Sequence, residues 1–177
     1  GINTMLTVLV ENCNTFTQKF YDSVIFSLPF HRLRCSCGHC GQLTVHGYYV
    51  RFVITPEGKV PLKVCRLRCS HCGHTHALLL SSIVAYSQIP AEVQRSIAVC
   101  YEEGSDRGSL LSSGDGIDEN NVKSVIRRYV RFWRERLRAS GSDLHCLLKL
   151  ILSCFSDYSM QFMQIHSTSN SLFSETT

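Results

Sequence analysis

The stretch that decides the fold opens with Cys35-Ser-Cys37-Gly-His-Cys40-Gly41 and closes with Cys69-Ser-His-Cys72-Gly73. Each cluster contains a Cys-x2-Cys-Gly unit, which sets two thiolates on one tight turn while the glycine lets the backbone fold back and aim its amides at the sulfurs. Two such turns brought together supply four sulfur ligands for a tetrahedral structural zinc ion. The 28 residues between Cys40 and Cys69 suffice for a hairpin and exceed the commonest four-cysteine spacing. Spacing leaves the first cluster's ligands open. Cys37 and Cys40 repeat the form of Cys69 and Cys72, whereas Cys35 and Cys37 make a tighter Cys-x-Cys pair. His39, His46, His71, His74 and His76 lie close by and read as groups that hydrogen-bond a sulfur or the backbone.

Between the clusters, Leu43 to Thr55 is rich in Val, Ile, Tyr and Phe, Pro56-Glu57-Gly58 supplies a turn, and Val60, Leu62 and Val64 alternate with Lys59 and Lys63. This is the pattern of a β-hairpin with one basic face, on which Arg51, Lys59, Lys63, Arg66 and Arg68 are candidates for phosphate contact. The apolar run from Thr75 to Val84 continues the ribbon toward the next elements. Upstream, Met5 to Val10 reads as a strand and Thr15 to Phe30 as a short helix ended near Pro29, with Phe16, Phe20, Val24 and Leu28 forming a lid on the ribbon.

Helix signals follow. Pro90 precedes Ala91 to Glu103, where Val93, Ile97 and Cys100 recur at helical spacing, and Gly104 ends the pattern. A short second helix is expected from Ser105 or Asp106 to Ser112, then a turn at Ser113-Gly114-Asp115-Gly116. Asp118 is the N-cap expected for a third helix from Glu119 to about Ala139, closed by Ser140-Gly141. Val122, Ile126, Tyr129, Trp133 and Leu137 mark one face of that helix, and Lys123, Arg127, Arg131, Arg134 and Arg138 mark another. The sum is an α+β chain in which a small zinc-ribbon β-hairpin module precedes an all-α helix-turn-helix module. The expected divisions are 1–34, a strand and helix lid; 35–86, the zinc ribbon; 87–140, the helix-turn-helix; and 141–177. The last holds a helix over Leu144 to Phe155 and a mobile tail.

Composition narrows the classes. With 177 residues, 44% hydrophobic and 18% charged, the chain suits one domain or two small modules. No run of eighteen apolar residues exists, so no membrane span is expected. The start at Gly1 without a basic segment reads as a trimmed or fragmentary beginning, not a targeting signal. Ten cysteines, of which two pairs take the Cys-x2-Cys-Gly form, fit a metal site in a reducing cytoplasm better than a secreted disulfide scaffold. Cys13, Cys100, Cys146 and Cys154 read as small buried hydrophobes. The net charge of +4 is unevenly spread. Residues 31–76 hold seven Lys or Arg against Glu57, residues 119–139 hold seven against Glu119 and Glu135, and residues 77–118 carry two basic and six acidic side chains. Such focusing points to a polyanionic partner.

Cys35-Ser-Cys-Gly, His46-Gly-Tyr-Tyr-Val-Arg51, Arg68-Cys-Ser-His-Cys-Gly73, Thr75-His-Ala-Leu-Leu79 and Tyr86-Ser-Gln88 resemble a family of small bacterial zinc-ribbon proteins, common in Firmicutes and described as a domain of unknown function. The likeness covers roughly residues 30–140. More distantly, a ribbon followed by a helix-turn-helix is similar to the N-terminal DNA-binding part of certain insertion-sequence transposases. The resemblance implies zinc on Cys37, Cys69 and Cys72, with Cys35 and Cys40 competing for the fourth place and the Cys-x-Cys pair emphasised. Val84-Ala85-Tyr86 departs from the proline that the resemblance would put before the tyrosine.

The function expected is that of a zinc-dependent DNA-binding protein of mobile-element origin with no catalytic domain. Lys123, Arg127, Arg131, Arg134 and Arg138 would contact phosphates. Partners would be DNA, a separate transposase or a second copy of the chain, with no membrane and no small-molecule substrate. The alternatives are a protein- or RNA-interaction ribbon, or an accessory or truncated transposase. Catalysis by paired metal ions needs clustered carboxylates, and after Ala139 only Asp143, Asp157 and Glu175 remain, in no convincing spacing.

Overall fold

A computed structural model describes residues 4–8, 10, 14–84, 86–141 and 169–172. The fold is mixed α+β. Five strands, β1 (Thr4–Val8), β2 (Leu43–Thr55), β3 (Gly58–Cys69), β4 (Thr75–Leu80) and β5 (Ser169–Leu172), form one sheet in the order β2-β3-β4-β1-β5. Among the described residues four helices accompany it: α1 (Gln18–Phe26), α2 (Ala91–Glu103), α3 (Glu119–Arg128) and α4 (Arg134–Ser140), with a π turn at Tyr129–Trp133 carrying α3 into α4.

The hairpin follows the sequence pattern closely. β2 and β3 pair antiparallel from Leu43 opposite Cys69 to Thr55 opposite Gly58, and a bulge at His46 shifts the register between Val45 and Gly47. On β3 the cations do not share one face: Lys59 and Lys63 are exposed on one side and Arg66 and Arg68 on the other, because the exposed side switches at Val64 and Cys65, which are both buried. Arg51 also departs from the expected basic face. Its guanidinium donates to the carbonyls of Val84 and Ser87, so this cation ties the hairpin to the segment leading into α2.

The N-terminal segment does more than cover the ribbon. β1 enters the sheet between β4 and β5, parallel to both, and Leu6 and Val8 are fully buried. Thr17 caps α1 by accepting the Phe20 N–H at 3.2 Å. Its most buried side chains are Tyr21 and Ile25, one position beyond the expected Phe20 and Val24, which are half-buried. Ser169–Leu172, within the tail expected to be mobile, forms the outer strand β5. The helix expected over Leu144 to Phe155 lies outside the described residues.

β3 and β4 pair only over Arg66–Arg68 and Thr75–Ala77. Where they part, Tyr21 fills the gap: its hydroxyl accepts the Cys65 N–H and donates to the Leu78 carbonyl, both at 2.8 Å. Buried strand groups without such a partner would be costly.

The helices form a second cluster around Ile54, Ile97, Val122, Tyr129, Trp133 and Leu137. Backbone bonds join it to the sheet, from Ile54 N–H to Gln88 O at 2.8 Å and from Ala91 N–H to Ser82 O at 3.0 Å. α2 has the expected bounds and ends at Gly104, whose φ of 65° is left-handed. The short second helix expected over 105–112 is a single 3-10 turn at Gly108–Leu110. Gly108 and Asp106 account for the difference, since the Asp106 carboxylate accepts the Gly108 N–H and competes with helical bonding. Asp118 caps α3 through a reciprocal pair with Asn121, at 2.7 and 3.1 Å.

Tyr21→Phe removes one hydroxyl and orphans both a buried N–H and a buried carbonyl. We expect a loss of about 1–3 kcal/mol in urea unfolding with the fold retained.

Candidate metal centre and cationic helix

Two turns converge at the open end of the β2–β3 hairpin. In the first, Cys35 N–H donates to His39 O and Gly38 N–H to Cys35 O, both at 2.9 Å, and Gly38 sits at φ 90°. In the second, Cys69 N–H donates to His74 O and Gly73 N–H to Cys69 O, again at 2.9 Å. Ser70 N–H donates to Gln42 O at 2.9 Å and fastens one turn to the other.

The thiols of Cys35, Cys37, Cys69 and Cys72 meet there, all within 4.8 Å of one another. Cys35 and Cys72 sulfurs are 3.5 Å apart and those of Cys37 and Cys69 are 3.9 Å apart, too far for disulfides. A metal with four thiolates at about 2.3 Å places its sulfurs about 3.8 Å apart, so the set fits a tetrahedral ion. These four residues can hold a metal.

Cys40 is not among them. Arg34 and Cys40 pair across a small antiparallel bridge, which puts their side chains on one face and that of Cys35, one residue on, on the other. Cys35 is accordingly buried, and Cys40 is exposed with its thiol 3.3 Å from the Arg32 carbonyl. The turn that brings its thiols to the cluster is thus Cys35-x-Cys37-Gly38, and the Cys37-x2-Cys40-Gly41 repeat does not bring Cys40 there. Gly41 serves a different contact: at φ 70° a Cβ there would stand 3.0 Å from the His31 carbonyl oxygen.

Electrostatics favour a cation. Burial pushes the Cys35 thiol up to about 12, in spite of the Cys37 amide that faces it. At Cys69 burial also opposes ionisation, but the amides of Cys72 and His71, with the neighbouring thiols, outweigh it and bring the group down to about 7. The His74 amide aids the Cys72 thiolate, yet burial and adjacent thiols leave its pKa raised. Several thiols crowded together resist ionising together, and a divalent cation among them removes that cost.

His76, on β4, lies with Nε2 3.1 Å from the Cys35 sulfur and is buried. Burial, with a smaller effect of His74, lowers its pKa, which disfavours the charged ring and suits a hydrogen bond between Nε2 and the Cys35 sulfur. Among the histidines near the clusters, its place in the apolar run Thr75 to Leu80 was the signal that set it apart.

A model of the family described as a domain of unknown function (DUF6431) matches residues 35–107. No curated protein and no solved structure matches the chain. The match begins on Cys35 and takes in all four converging thiols, the hairpin, β4 and α2, but ends before α3.

The cations of the last helix divide. Lys123, Arg127, Arg131 and Arg138 are exposed. Arg134 is not free: its Nε donates to Glu102 at 2.7 Å and its guanidinium lies over Tyr101. Burial opposes ionisation of Glu102, but Arg134 and the Tyr129 hydroxyl hold its carboxyl below the usual range. Lys123 pairs with Glu119 at 3.5 Å and Arg138 with Glu135 at 3.3 Å, both in water-exposed positions where such pairs contribute little. Among the described residues Arg127 and Arg131 form no salt bridge. Cys100 is half-buried on α2, and Cys13, Cys146 and Cys154 lie outside the described residues. No helix among the described residues is long and apolar enough to cross a membrane.

Serine at Cys35, Cys37, Cys69 or Cys72 should abolish tight metal binding, and Cys40→Ser should leave one metal per chain, as read by metal analysis after dialysis. Affinity should also fall with pH. Metal binding must displace the Cys35 proton to solvent throughout the range from about 6 to 8, and that of Cys69 as well below about 7, so competition with a chromophoric chelator should show a steeper loss on the acid side.

Proposed function

We propose that the protein is a zinc-dependent DNA-binding module, in which a structural zinc ribbon fixes the sheet and the exposed cationic face of α3, the π turn and α4 docks on the phosphate backbone. The observation that carries this reading is the row Lys123, Arg127 and Arg131, exposed at steps of four and opposite the buried Val125, Tyr129, Trp133 and Leu137. Like charges at that spacing oppose helix formation, so their presence favours a role with an anionic partner over one in stability. Four sulfurs give zinc a closed coordination sphere, which suits a structural ion and no chemistry of its own. The module is read as a binding protein rather than an enzyme. Of the carboxylates weighed for catalysis, Asp143, Asp157 and Glu175 lie outside the described residues.

The helix-turn-helix comparison applies only loosely. Residues 104–118 separate α2 from α3, against the three or four residues that usually join the two helices of that motif. Backbone docking by a long basic helix therefore suits this geometry better than insertion of a compact recognition unit. Kinship with the N-terminal part of transposases, and a separate transposase as partner, belong to the same proposal and rest on the ribbon's resemblance.

A second reading has one observation in its favour. β2 is an edge strand, and its Tyr49, with the Arg66 guanidinium over the ring at 4.5 Å, lines one open cavity together with Tyr86, at 68% exposure. Aromatics among cations suit a single strand of RNA or DNA, on which bases stack.

Binding to a random-sequence duplex, followed by fluorescence anisotropy across a salt series, tests the first reading. Arg127→Ala with Arg131→Ala should lower the slope of log affinity against log salt by about two. Arg134→Ala should instead cost about 1–2 kcal/mol of stability and leave the slope nearly unchanged. Equal slopes for the double variant and the parent would sink the helix as the docking face, and preference for single strands lost in Tyr86→Ala would favour the second reading.

A further inference from the structure

We propose that the rim of the four-sulfur centre forms a second, exchangeable site for a thiophilic divalent cation, built from Cys37, His39 and His71. His39 comes from the first turn and His71 from the second, yet their rings stack with centroids 3.5 Å apart and planes 22° apart. His39 Nδ1 lies 3.5 Å from the Cys37 sulfur, and one ligand atom from each of the three residues falls within 4.8 Å of the others. Both imidazoles are exposed, and Cys37 is half-buried, unlike the enclosed Cys35 and Cys69.

Cys37 thus faces two ways. Its sulfur stands 3.9 Å from Cys69 on the inner side and meets the imidazole pair on the outer side. A thiolate has lone pairs enough to bridge two cations, and four thiolates around one divalent ion carry a net charge of minus two. The outermost sulfur presents part of that charge to the imidazole pair. One bridging sulfur and two imidazoles form a borderline-soft donor set suited to Zn²⁺, Co²⁺ or Cd²⁺. Three protein ligands leave a position open to water, so an ion here exchanges where the inner ion does not. The proposal rests on the four-sulfur reading for the bridging role of Cys37, while the imidazole pair stands apart from it.

The test is an anaerobic titration of the reduced, metal-free full chain with Co²⁺, read by equilibrium dialysis and by thiolate-to-cobalt absorption. The parent should take up two ions, the second bound at least about ten-fold more weakly because its site is exposed and has fewer anionic ligands. His39→Ala with His71→Ala should take up one, with the thiolate absorption of the first equivalent kept. Both are exposed turn residues, so their loss spares the fold, and His39→Asn with His71→Asn, which keeps side-chain bulk, should behave alike. Equal stoichiometry and equal release to a chelator in the parent and the histidine variants would overturn the rim site. The four-sulfur reading fails separately, if Cys72→Ser keeps the tight equivalent.

Discussion

Four thiols gathered at the mouth of one hairpin set the terms for the remaining structure. Cys35 and Cys37 stand where the chain enters β2, and Cys69 and Cys72 stand where it leaves β3, so an ion held by the four would bridge the start and the end of the longest ladder. Leu43 and Cys69 are the first residues to pair, directly below the cluster. The turn that carries Cys72 also sets the start of β4, whose His76 reaches back to Cys35. β4 in turn aligns β1 from Thr4 opposite His76 onward. The pairings thus run outward from the sulfurs, and a cation that lets buried thiols ionise would stabilise that register along with itself.

The sheet passes this order to the helices through few but well-defined ties. Arg51 gives its guanidinium to two carbonyls of the segment after β4, and Ile54 shares one backbone bond with Gln88 while its side chain joins the helical cluster. Gln94, buried on α2, donates to Ser87 and to the Ile89 carbonyl and so fixes the same segment from the other side. An arginine that looked like a phosphate contact is spent on holding two clusters together. The linker carries its own strain, with Tyr86 at φ 55°, a conformation a tyrosine rarely takes. That turn is where proline was expected from the resemblance, and it presents the Tyr86 ring to solvent.

Local patterns were legible where one short-range rule governed them. The hairpin, its turn, the bounds of α2, the Asp118 cap and the glycine end after Ser140 all follow from alternation, capping or left-handed glycine. What escaped depends on contacts between distant residues. The parallel pairing of β1 with β4 spans some seventy residues, and nothing in Thr4–Val8 names its partner. The role of Tyr21 arises only because β3 and β4 diverge. At the metal centre, repetition of Cys-x2-Cys-Gly favoured Cys40, but the side that a thiol faces is decided by the Arg34–Cys40 pairing, which spacing alone does not express. Of the cations marked on the helix, Lys123, Arg127, Arg131 and Arg138 are exposed, whereas Arg134 is not, because its acidic partner Glu102 lies on a different helix.

The π turn explains how that helix keeps two faces at once. Val125, Tyr129, Trp133 and Leu137 recur every four residues, and in a straight α-helix such steps drift steadily around the axis. A wide turn at Tyr129–Trp133 absorbs the excess, so all four side chains stay against α2 and the sheet. The cations obey the same geometry. Lys123 and Arg127 precede the wide turn on α3, so only the step from Arg127 to Arg131 passes into it and has its angular drift reduced. Glu102 on α2 accepts from the Tyr129 hydroxyl and from Arg134 and so ties both ends of the widened segment to α2. Arg134 therefore acts on the packing beneath the row, whereas Arg127 contributes charge to a row whose backbone is held independently of it.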